Sequence, residues 1–71
     1  MPRATVIDDT GTHDVLEVIT LVGTTLRVRS PYLFEIGEEL RLEIEDGATR
    51  REVTAVVRGH DADHVSELQL T

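Results

Sequence analysis

The sequence predicts an all-β domain, a small antiparallel β-barrel of about five to six strands. Three observations carry that expectation. Apolar and polar residues alternate in short stretches from residue 14 onward, glycine and proline punctuate them at hairpin spacing, and 71 residues suffice for one domain only. A chain this short buries roughly 60% of the surface its unfolded form exposes, so its stability is modest.

Taken in order, residues 1–13 are polar apart from Val6-Ile7 and read as an N-terminal arm or a short edge strand. The barrel is expected over residues 14–71. Val15 to Thr20 is a nearly continuous apolar run around Glu17, the pattern of a strand covered on both faces or placed at a barrel's closure. Val22-Gly23-Thr24 permits a tight reversal. Thr24 to Ser30 follows, with Leu26 and Val28 facing inward and Arg27 and Arg29 outward, and Pro31 ends it by removing an amide donor.

Glu39 to Glu45 alternates throughout, with Leu40, Leu42 and Ile44 on one face. Its composition would also suit a helix. On a helix, however, Leu42 would sit about 200° around from Leu40, and one surface could not bury all three. A strand buries all three. Asp46-Gly47 signals a hairpin of type I′, whose positive φ angles Asp-Gly supplies at little cost. Glu52 to Arg58 places Val53, Ala55 and Val57 on one face and Val56 on the other. Gly59 to Asp63 reads as a polar loop. Leu68 and Leu70 then alternate with Glu67 and Gln69, while Val65 falls out of phase and marks a bulge or the strand's start.

Composition narrows the function classes. Hydrophobic residues make up 39% of the chain, and Tyr32 and Phe34 are its only aromatics. This fills a thin core without leaving material for a deep substrate cavity. The absence of cysteine excludes disulfides and thiolate metal sites. Met1-Pro2-Arg3 opens nothing like a secretory signal, and no apolar run is long enough for a membrane-spanning helix. A cytoplasmic location without membrane insertion is the resulting expectation. Fourteen acidic residues against seven basic ones give a net charge of −7, which repels phosphate backbones and argues against a nucleic-acid polymer as partner. All seven basic residues are arginine. That choice reflects either GC-rich codon usage or planar, two-pronged donors for a phosphate or carboxylate.

The chemistry-bearing constellations are few. Asp9-Thr10-Gly11 matches the aspartic-protease tripeptide, in which two aspartates share one proton. Only one copy is present, so pairing would need a homodimer, and an ordinary Asp/Gly turn explains the same residues. His60, Asp61, Asp63 and His64 offer nitrogen and oxygen ligands, which His13 and Asp14 could join. Histidines four apart converge on a helix, however, and Gly59-His60-Asp61 reads as a turn. Neither Ser30 nor Ser66 sits in a nucleophile elbow, and the five glycines are scattered rather than gathered into a phosphate loop. No catalytic residue, metal or cofactor is assigned.

The order of these features resembles the PilZ domain, a six-stranded β-barrel of bacterial signalling. The resemblance spans roughly residues 14–71 and rests on strand order and the placement of Gly23 and Gly37. PilZ domains bind cyclic di-GMP through an Asp/Asn-x-Ser-x-x-Gly motif and an Arg-x-x-x-Arg motif in a preceding arm. With its glycine on Gly23, the first motif places Thr20 at the serine position and Val18, which cannot hydrogen-bond a guanine edge, at the acidic one. In the second motif Arg3 stands alone, with Ile7 where its partner would fall. The resemblance thus implies a receptor site of Arg3, Thr20, Gly23, Arg27 and Arg29 at best, the last two as a surrogate pair. A dinucleotide needs paired guanidinium groups to offset its charge. The leading expectation is therefore a non-catalytic interaction or regulatory adaptor that contacts a protein partner or a second copy of itself. Tyr32-Leu33-Phe34 would be its apolar anchor, unless those residues plug one end of the barrel. A cyclic di-GMP receptor is the alternative, and a small metal- or aspartate-dependent hydrolase the remote one.

Overall fold

The structure is a computed structural model that describes residues 2–32, 34–61 and 63–71. Leu33, one of the expected anchor residues, lies outside them. The described residues form seven strands: β1 (Arg3–Asp8), β2 (Gly11–His13), β3 (Glu17–Val22), β4 (Thr25–Arg29), β5 (Glu39–Asp46), β6 (Thr49–Asp61) and β7 (Val65–Leu70). All pairings are antiparallel within one sheet, in the order β2-β1-β5-β6-β7-β4-β3. No described helix is long and apolar enough to cross a membrane.

The all-β class is as expected, but the sheet is not closed into a barrel. Its edges, β2 and β3, are joined only by Asp14-Val15-Leu16, a link that spans at most roughly 14 Å. The sheet therefore curls, and this brings β3 back against β1 rather than against β2. After His13 pairs with Val6, the chain leaves β1, and from Glu17 it pairs with β4 instead. Among the described residues no strand ladder closes the seam between the two ends of the sheet. The segment read as an arm or short edge strand is a hairpin, and its first strand lies inside the sheet between β2 and β5. Ala4 on β1 is only 1% exposed. The weak hydrophobic contrast of Ala4 and Val6 against Thr5 and Ile7 hides this strand in the sequence.

The core forms where the inward faces meet. Ala4, Leu26, Val28, Leu40, Leu42, Ile44, Ala55, Val57, Leu68 and Leu70 make one buried cluster with Leu16. The alternation read for β4, β5 and β7 accounts for most of it. Val65 marks the start of β7 rather than a bulge within it.

Two bulges change the phase elsewhere. The β3–β4 register shifts between Val18 and Thr20, so Val18 and Leu21 both pack against the core although three residues apart. Val15 to Thr20 is consequently not a doubly covered strand. β3 is an edge, with Ile19 exposed and Val22 73% exposed. The β6–β7 register shifts between Val57 and Gly59, which sets His60 opposite Ser66 and extends β6 through residues read as a loop.

The turns also refine the reading. Asp46 pairs with Thr49, so the loop residues are Gly47 and Ala48, and of these only Gly47 has positive φ. That is the φ pattern of type II′, not type I′. Gly23-Thr24 between Val22 and Thr25 repeats it. Replacing Gly47 (φ 63°) by valine forces a β-branched residue into left-handed backbone, with an expected loss of about 1–2 kcal/mol in chemical denaturation. An unchanged midpoint would show that the turn tolerates another conformation.

Candidate functional site

At one end of the core, the β1–β2 hairpin faces the segment that follows β4. The inward face of β1 runs from buried Ala4 through half-buried Val6 to exposed Asp8. Val15 and Phe34 close over the core beside it. Together Val6, Asp8, His13, Val15, Tyr32 and Phe34 line a shallow groove of about 250 Å³. A wider cleft of about 510 Å³ adjoins it across Val15 and is lined by the Asp14–Glu17 segment, Arg29, Ser30, Pro31 and His64.

Local chemistry builds both walls. Asp8 and Gly11 close a two-residue turn, in which the Asp8 carboxylate accepts from the Thr10 amide at 2.8 Å and the Thr10 hydroxyl at 2.6 Å. Asp9-Thr10-Gly11 is thus a hairpin turn, with Asp9 exposed. The opposite wall starts at buried Ser30, whose amide donates to the His64 carbonyl and whose hydroxyl accepts from the Tyr32 amide. These bonds fix where the chain turns after Pro31. Phe34 then packs against the core as a plug, while Tyr32 remains 59% exposed.

Asp8, Thr10 and His13 form a cluster without relay geometry. His13 Nε2 lies 3.0 Å from both Asp8 Oδ1 and Thr10 Oγ1. A nucleophilic relay needs the base to face nucleophile and carboxylate with different ring nitrogens. Here both meet one nitrogen, and the Thr10 hydroxyl donates to Asp8. The side-chain hydrogen bond from Thr10, then that from His13, lowers the Asp8 pKa from 3.8 to about 2. A depressed acid stabilises the fold above its unfolded pKa and loses that contribution as pH falls through the folded one. Asp8 therefore contributes fully above about pH 4 and progressively less toward pH 2. Its carboxyl shift in an NMR titration should turn near 2, and Asp8→Asn should lose less stability than the unaltered protein across that window. A midpoint near 3.8 would mean the turn does not hold in solution.

Of the residues implied for a cyclic dinucleotide, Thr20, Gly23, Arg27 and Arg29 share the β3–β4 hairpin, while Arg3 stands on β1. Thr20 and Arg27 are cross-strand partners on the outer face of the β3–β4 hairpin, and Gly23 is at its turn. Arg3 is held by Asp14 at 2.7 Å, Arg27 by Asp61 at 2.5 Å, and Arg29 lies 3.8 Å from Glu17. Arg41 pairs with Glu52, and Arg50 with Glu43 and Glu45. These exposed pairs stabilise the fold little. Five of the seven arginines thus stand beside a carboxylate of this chain.

The histidine-rich loop disperses. Among the described residues no group of three or more His, Asp or Glu is placed to hold a metal. His60 Nδ1 contacts Ser66 Oγ at 3.2 Å, whereas His64 faces the wide cleft. The His60–Ser66 pair escaped the sequence reading because only the β6 bulge sets the two opposite each other. Ser66 is buried, which removes its hydroxyl from any substrate in solvent. Val6, Asp8 and Val15 are the groove residues that the sequence did not single out. The loss of apolar contrast in β1 and the unpaired link after β2 concealed them. No protein family, curated protein or solved structure matches this chain.

Proposed function

We propose that this chain is a non-catalytic, PilZ-like β-module that acts as a regulatory adaptor through protein contacts made at the groove around Tyr32. One observation carries the reading: the three arginines a cyclic dinucleotide would recruit are each committed to a carboxylate, while the groove presents an exposed aromatic over an apolar floor. A dinucleotide would have to compete with these ion pairs, weak as each is, against a net charge of −7. A protein partner gains from burying Tyr32 and the uncovered parts of Val6, Val15 and Phe34 without breaking any of them.

The test has two arms. Calorimetric titration with cyclic di-GMP is expected to give no saturable heat, and micromolar binding lost in Arg27→Ala/Arg29→Ala would replace the adaptor by a receptor. Crosslinking in the cells that make the protein is expected to trap a discrete partner, or a second copy, through the Tyr32 side of the molecule. Equal trapping by Tyr32→Asp with its fold intact would remove the groove from the reading.

A further inference from the structure

We infer that the segment this groove receives is basic: an extended peptide whose apolar side chains cover Val6, Val15 and Phe34 and whose Lys or Arg lies against Tyr32 and Asp8. The inference rests on the adaptor reading and adds the chemistry of the partner. Charge complementarity carries it. The molecule has twice as many acids as bases. Asp8 lines the groove, Asp9 follows Asp8 in the exposed turn, and Glu35 follows Phe34. No arginine lines it, and its histidine, His13, reaches Asp8 through Oδ1 alone. Arg3, the base on the same hairpin, is bound to Asp14.

The Asp8 carboxylate is ionised throughout the neutral range and half-exposed, so it remains open to a further donor. Tyr32 offers a ring face to a cation, an attraction stronger for guanidinium or ammonium groups that lose water on docking. An acidic partner, a second copy of this chain included, would bring carboxylates against Asp8 on a molecule of net charge −7. Like charges brought together at an interface oppose docking.

The probes are two peptides, one alternating leucine with lysine and one with glutamate in place of lysine, titrated into the 15N-labelled full chain. The lysine peptide is expected to shift the amides of Val6, Asp8, His13, Val15 and Phe34 saturably. Its affinity should fall at least about fivefold in Tyr32→Ala and in Asp8→Asn, and further as salt rises from about 50 to about 500 mM. Tyr32→Ala alters an exposed side chain and keeps the test independent of the Asp8 turn. Equal binding of the glutamate peptide, or lysine-peptide shifts spread over Glu39, Asp46 and Glu67 and unaffected by Tyr32→Ala, would overturn the basic-partner inference. So would an absence of shifts with either peptide. A partner trapped through Tyr32 that carries no basic segment would sink this inference and leave the adaptor standing, whereas cyclic di-GMP binding sinks the adaptor itself.

Discussion

Replacing Leu42 by alanine should remove about half of this protein's stability. Leu42 is fully buried in mid-β5, facing Val6 across β1 and Val53 across β6. Removing its isobutyl group loses the transfer free energy and leaves a cavity that a thin sheet cannot refill, at a cost of about 3–5 kcal/mol. At the usual stability per residue, a 71-residue domain has about 4–10 kcal/mol in total. A drop in melting temperature of more than about 12 °C, or loss of a cooperative transition, is therefore expected. A shift of only a few degrees would show that the curled sheet can collapse around the gap, against the single continuous core described above.

The second large effect separates two neighbouring aromatics. Phe34→Asp places a charge where the ring packs on the core and should cost about 2–4 kcal/mol, seen as a marked loss of stability. Tyr32→Asp changes a side chain that is 59% exposed and should leave the melting temperature nearly unchanged while abolishing association at the groove. The sequence treated Tyr32-Leu33-Phe34 as one unit that either plugs a barrel or anchors a partner. In the structure Phe34 packs against the core, whereas Tyr32 stays exposed. If both variants unfold alike, Tyr32 is also structural and the groove loses its anchor.

Much of the fold was legible in the chain because alternation at a period of two survives wherever one face is buried. Leu40, Leu42 and Ile44, and Leu26 with Val28, occupy the core as their spacing required. The reading faltered where that period is interrupted. At Ile19 and Arg58 one extra residue inverts the phase, and no residue type announces a bulge. It also faltered at β1, where Ala4 is buried by its neighbours rather than by any strong hydrophobicity of its own. The candidate site was legible in part. The aromatics and arginines were visible as chemistry, but ion pairs such as Arg27–Asp61 join residues far apart in sequence and depend on strand order.

By itself the sequence determined an acidic, all-β domain with a leucine- and valine-rich core, because side-chain alternation and turn chemistry act over a few residues. Tertiary structure alone decided that the sheet curls without closing, since that depends on where the chain exchanges β1 for β4 as its partner. It also decided which guanidinium groups are committed to carboxylates and which apolar surface stays open beside Asp8. Those outcomes arise from long-range pairing, in which residues dozens of positions apart meet only once the sheet has formed.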